Sequence, residues 1–332
     1  MAGNLVAFDI GEAQVKLAWY SGTVRKKAVA APLPDGLVAN GAVVSMDAMA
    51  DFLKKLAKDS AIPRTSAALI LPGSLVFTRN VELPAMTDAQ LSYNLPFEFK
   101  DYLTQEKGLY YFDYAVHELV KDETGSVTQM RLFACAALKQ TIEDYRAMLK
   151  RAGFRLKIAI PEEAAYAGLL ASYISRTPNS AGQDYALVDL GYSAIRLHIL
   201  HGSEFVTRRT MDLGLRDVIQ ALSESRGVDP HIAHEHLLSD YEGALNEPVC
   251  QDVYRSMAVE IMKAVNFYNY NNREQTLSRI YLCGGGAALT EISDAIQEMS
   301  SLELHPVSEL ISGSETLQTP WLFAKAIGCA LQ

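Results

Sequence analysis

One short pattern occurs twice. FDIGEAQVKLAWY (residues 8–20) and VDLGYSAIRLHIL (188–200) align without a gap at a constant offset of 180 residues. Asp189 falls under Asp9, Gly191 under Gly11, Arg196 under Lys16 and Leu197 under Leu17. In each copy an apolar strand reaches an Asp, a Gly follows two residues later, and apolar–polar alternation resumes. After the first copy, AALILP (67–72) and LVFTRNVEL (75–83) read as strands. After the second come the extended SEFVTRRTMDL (203–213) and a helix from about 215. Two such turns predict a pair of related α/β lobes facing a shared cleft. Their backbone N–H groups suit phosphates, and each Asp could hold a metal ion through water. IYLCGGGAAL (280–289) adds a strand, then Gly284, Gly285 and Gly286, then an expected helix start; three glycines let backbone approach a ligand closely.

The 332 residues exceed what one core comfortably holds, which supports two or more lobes. A net charge of -9 without a long basic run argues against nucleic acid as the main partner. The basic spots Arg25–Lys27 and Arg208–Arg209 read as solvated strand ends. Cys135, Cys250, Cys283 and Cys329 form no C-x-x-C pair; three lie in apolar surroundings and are expected as reduced thiols in a cytosolic protein. The amino terminus lacks the basic start and apolar core of a signal peptide, and no window reaches the roughly 18 apolar residues of a membrane span.

These residues resemble the actin-like ATPase superfamily, a two-lobed fold of duplicated RNase H-like units. The order is a first phosphate loop (DIGEAQVK), a connecting helix (IPEEAAYAGLLA, 160–171), a second phosphate loop (DLGYSAIR), an adenosine loop (CGGGAAL) and a closing helix (FAKAIGCAL, 323–331). NVELPAMTDAQLSYNLPFEFKDYL (80–103), GLYYFDYAVHEL and LKQTIEDYRAMLKRAGFRLKIAIPEEAAYA (138–167) further resemble the PilM-type proteins of type IV pilus assembly, over nearly the whole chain.

The resemblance implies a first lobe of residues 1–85, 151–180 and 315–332. It implies an inserted small α+β subdomain at 86–150 and a second lobe at 181–314, with a distinct part at about 226–281. It implies ATP with Mg2+ between the lobes, the magnesium held through water by Asp9 and Asp189. Nucleotide contacts fall on Asp9, Gly11, Glu12, Ala13, Gln14, Lys16, Asp189, Gly191, Tyr192, Ser193, Gly214, Gly284, Gly285 and Gly286. The implied partner is the short amino-terminal cytoplasmic tail of a PilN-like inner-membrane protein. PilO-like and assembly-ATPase neighbours follow, at the cytoplasmic face of the inner membrane. An extended tail needs a groove with apolar pockets. The Leu95-Pro96-Phe97 turn and the aromatic run Tyr93, Phe97, Phe99, Tyr102, Tyr110, Tyr111, Phe112 and Tyr114 could supply one, although core packing explains most of these rings.

Departures from the family pattern weaken the case for tight ATP binding. Glu12, Ala13 and Gln14 stand where small hydroxyl residues are usual, Tyr192 replaces a small residue, and Gly214-Leu215 replaces a Gly-Gly pair. Glu12 repels phosphate if it points inward and is harmless if it turns out. Glu163 is the candidate for orienting an attacking water; helix capping by Glu162 and Glu163 is the plainer reading. The histidines of DPHIAHEHLL (229–238) lack zinc-motif spacing. NFYNYNNREQ (266–275) reads as the end of a long helix from about Cys250, with Phe267 and Tyr270 packing inward. Two other readings share the superfamily: a cell-division filament protein (FtsA-type) and a small-molecule kinase.

Overall fold

The apolar run NLVAFDI forms β1 (Asn4–Ile10), against which β2 (Gln14–Ser21) and β3 (Val24–Pro32) fold as an antiparallel meander. Every residue of β1 after Asn4 is buried, as in a strand covered on both faces. The computed structural model describes residues 3–272 and 276–332. A short hairpin of β4 (Val38–Ala39) and β5 (Ala42–Val43) leads to α1 (Met46–Asp59), capped by the Ser45 hydroxyl. β6 (Ser66–Leu71) then lies parallel to β1.

The chain next builds a separate layer. β7 (Val76–Pro84), β8 (Tyr110–Lys121) and β9 (Val127–Leu138) make an antiparallel sheet of order β7-β9-β8. α2 (Asp88–Glu98) packs Leu91 and Leu95 onto Val81, Leu83, Met130 and Leu132 of that sheet. α3 (Lys139–Ala152) follows, then β10 (Arg155–Pro161), which adds in parallel to β6. The resulting five-stranded sheet runs β10-β6-β1-β2-β3. Met49 and Leu53 of α1 and Ile142, Tyr145 and Leu149 of α3 share one core with Val6, Phe8, Val15 and Leu17.

α4 (Glu162–Arg176) carries the change of unit. One compact unit comprises residues through Gly168 with Lys325–Gln332; the other is Leu169–Ala324. The second contains β11 (Asp184–Leu190), β12 (Ile195–His201) and β13 (Glu204–Met211). The helices α5 (Leu215–Arg226), α6 (Pro230–Ser239) and α7 (Pro248–Asn271) come next. β14 (Arg279–Cys283), α8 (Thr290–Met299) and β15 (Glu303–Pro306) complete it. Its sheet order is β13-β12-β11-β14-β15. Read from the opposite edge, this reproduces the first sheet strand for strand, including the parallel neighbour (β6 of β1, β14 of β11). α9 (Ala324–Ala330) is short and almost wholly apolar.

Several expectations change. The inserted sheet begins at Val76, not 86, because β7 is its edge; α3 instead packs with α1, so it lies outside that layer. The units divide at Gly168/Leu169 and at Ala324/Lys325, because α4 gives turns to each. The glycine run enters a 3-10 turn (Gly285–Ala288), and the α-helix starts only at Thr290. Phe267 and Tyr270 are exposed; Val265 and Tyr268 take the inward face of α7, and residues 273–275 of that stretch lie outside the described residues. Leu95-Pro96-Phe97 is not a turn but the last part of α2. Cys250, Cys283 and Cys329 are buried, while Cys135 is partly exposed.

Candidate phosphate loops

The two Asp-Gly turns are built alike. In the first, the Gly11 amide donates to the Gln14 carbonyl at 3.0 Å; in the second, Gly191 donates to Ala194 at 3.1 Å. Asp9 lies opposite Lys16 in the β1–β2 ladder, and Asp189 lies opposite Arg196 in β11–β12. The amides of Glu12 and Ala13, and those of Tyr192 and Ser193, have no backbone acceptor among the described residues. Two adjacent amides without a backbone acceptor at a strand-to-strand turn suit an anion-binding concavity.

Side chains around the first loop answer the question posed by Glu12. Its carboxylate accepts the Gly41 amide at 2.9 Å, so it is held toward the β4–β5 turn. The Ala13 carbonyl is tied to the Leu33 amide. Asp9, only 4% exposed, stands between two ammonium groups. Lys16 Nζ is 3.8 Å from its Oδ2, and Lys325 Nζ is 3.8 Å from its Oδ1. Lys325 Nζ is also 3.8 Å from Glu162 Oε2. The neighbouring Glu163 is fully buried and accepts the Thr78 hydroxyl at 3.1 Å. Asp9 therefore sits where a water-held magnesium was expected, but the charge that such an ion would bring is already present. The metal does not fit there.

α9 delivers Lys325 because it packs closely on α4. A Cβ on Gly168 would lie 2.5 Å from the Gly328 carbonyl and 2.0 Å from Gln332 Nε2, whose amide donates to the Ala164 carbonyl at 2.9 Å. Nearby, burial and then the charge of Asp9 push the Cys329 thiol well above the usual thiol range. Cys135, on β9 near Asp113 and Glu163, is pushed up to about 12, chiefly by burial.

The second loop docks onto a helix start. Leu215 donates to the Gly191 carbonyl at 3.1 Å and Arg216 to the Tyr192 carbonyl at 2.8 Å, while the Gly214 amide donates to the Asp217 carboxylate at 2.7 Å. These first-turn donors of α5 are thus spent on positioning the loop. The Tyr192 side chain packs against the core of the second unit. The glycine run closes over the loop. Gly284 has φ +86, and a Cβ there would meet Asp189 Oδ1 at 2.3 Å; one on Gly286 would meet Leu190 Cβ at 2.8 Å, and Gly285 faces Leu215.

On the inserted layer, Leu95 is 2% exposed and belongs to the core, so it offers nothing to a partner; the i, i+4 spacing from Leu91 turns it inward. Pro96 is partly buried, and Phe97 is exposed. Of the aromatic run, Phe99 and Tyr110 are buried and Phe112 and Tyr114 partly so, whereas Tyr93, Phe97, Tyr102 and Tyr111 are exposed. Lys107 sits 4.0 Å from the Phe97 ring centroid. Sequence reasoning missed Lys325 and Thr78; a lone Lys inside the apolar FAKAIGCAL was the signal available for the first.

Three solved structures share the architecture. A PilM–PilN type IV pilus biogenesis complex matches at TM-score 0.79 and 21% identity, covering 100% of this chain and 98% of that one. The ethanolamine utilization protein EutJ from Carboxydothermus hydrogenoformans matches at TM-score 0.62 and 16% identity, covering 98% and 88%. MreB 5 of Spiroplasma citri bound to AMPPNP matches at TM-score 0.55 and 12% identity, covering 100% and 96%. The protein thus has an actin-like ATPase fold. Within that class the family model for the type IV pilus assembly protein PilM matches residues 7–317. The chain belongs to the PilM family of type IV pilus assembly proteins.

Proposed function

We propose that this chain is a cytoplasmic, actin-like scaffold of a type IV pilus platform, held at the inner face of the membrane by its partners. It binds ATP at the two phosphate loops and at the glycine turn of residues 284–286. It takes up the amino-terminal tail of a PilN-like protein beside the inserted sheet, with PilO-like and assembly-ATPase components as further neighbours. The family match over residues 7–317 carries the pilus role. Membership also favours this reading over a cell-division filament protein or a small-molecule kinase. No helix of the described residues is long and apolar enough to cross a membrane, which fits attachment through a partner.

Nucleotide binding is supported by the matched pairs of amides that have no backbone acceptor among the described residues and by Glu12 being turned onto Gly41. Hydrolysis is weak in this reading. Glu163, the residue proposed to orient water, is fully buried and engaged by Thr78. The tail contacts fall on exposed rings such as Phe97 and Tyr111, because aromatic side chains bury much area at low entropic cost. Titration with a PilN-like tail peptide tests this. Phe97→Ser and Tyr111→Ser are expected to weaken binding tenfold or more with an unchanged urea midpoint. A peptide that ignores both substitutions, or does not bind wild type, sinks the docking reading; ATP titration of wild type and Asp9→Ala tests the loops separately.

A further inference from the structure

Lys325 is an odd residue for its place. The other positions of α9 are apolar or glycine, and a lysine stem in such a helix is retained only if its ammonium finds charge. Here the side chain is 17% exposed, and its ammonium lies at 3.8 Å from a carboxylate oxygen of Asp9 and, equally, at 3.8 Å from one of Glu162. A magnesium ion that keeps its waters sits about 4 Å from a carboxylate oxygen it holds through one of them. The ammonium thus occupies the distance, and supplies part of the charge, of an outer-sphere divalent ion. On the far side of Asp9, Oδ2 is buried and has no hydrogen-bond partner among the described residues, with Lys16 at 3.8 Å. A divalent ion added here would face two ammonium groups before it reached the carboxylate.

We propose that Lys325 is a tethered replacement for the divalent cation at the first phosphate loop. It holds Asp9 and Glu162 together and leaves the loop with no metal requirement of its own. Removing the ammonium leaves two buried carboxylates facing one vacated position, which is a divalent site.

Manganese uptake, read from loss of the free-ion electron paramagnetic resonance signal in the absence of nucleotide, tests the assignment. Wild type is expected to take up no Mn2+ at this loop. Lys325→Met is expected to bind one ion per chain, and Lys325→Met/Asp9→Asn to lose it again. Lys325→Met should also melt several degrees lower than wild type without metal, recover with millimolar Mn2+, and recover without metal when Glu162→Gln is added. Uptake by wild type that Asp9→Asn abolishes overturns the proposal. So does a Lys325→Met protein of native circular dichroism that binds no Mn2+. The consequence for nucleotide rests on the function proposed above. A fluorescent ATP analogue should bind wild type in EDTA within about twofold of its affinity in Mg2+, and Lys325→Met at least tenfold more weakly in EDTA. If no variant binds the analogue under any condition, the nucleotide reading fails, while the manganese experiment still decides the role of Lys325.

Discussion

At Gly284 two demands coincide. The backbone sits at φ +86, where a side chain is strained, and the missing Cβ makes room for the Asp189 carboxylate and the Leu190 carbonyl. Gly284→Ala is expected to cost roughly 2–4 kcal/mol, the left-handed penalty plus an overpacking term, measured as a lower urea midpoint with unchanged slope. Glu12 teaches a different lesson. Its charge looked hostile to phosphate in the sequence, but its direction was decided by an amide 29 residues further on. Residue type was legible; side-chain direction was not, because the partner belongs to a hairpin of only two residues per strand.

Among the elements, α2 separates structural from surface positions most sharply. Thr87 and Gln90 form a capping box at its start, and Leu91 and Leu95 place one stripe on the sheet. Leu95→Ala should therefore destabilise the protein by about 2–5 kcal/mol, seen in thermal or urea unfolding, in contrast to the neutral Phe97→Ser. The repeat at offset 180 made both loops and their central strands readable, since strand alternation and the Asp-Gly turn are local signals. It extended to sheet order, because β1 and β11 recruit equivalent parallel neighbours. The Leu95-Pro96-Phe97 segment misled because proline usually ends a helix, yet here it stands in the last turn of α2. α9 was legible as a helix, but nothing local announced that its lysine would meet Asp9.

For the whole molecule, the buried thiols set a limit on the alkaline side. Burial pushes Cys250 up to about 11 and Cys135 up to about 12, and lifts Cys329 further. In the unfolded chain a thiol ionises near pH 8.5, so above that pH the unfolded state loses protons first and stability falls. For Cys250 the loss continues up to about pH 11, at roughly 1.4 kcal/mol per pH unit. Urea midpoints should therefore drop between pH 8 and pH 10, and Cys250→Ala should flatten the drop. A pH-independent midpoint in both proteins would contradict the burial of this thiol.

The bridge from Lys325 to Asp9 also has a consequence in time. The two residues are 316 positions apart, so a ribosome adding about 5–20 residues each second makes the carboxylate some 15–60 s before its lysine. Throughout that interval the nascent first sheet has the Lys16 ammonium beside Asp9 but not the one that α9 brings to its other oxygen. The first loop therefore reaches its final charge balance only after α9 has been made and has packed onto α4.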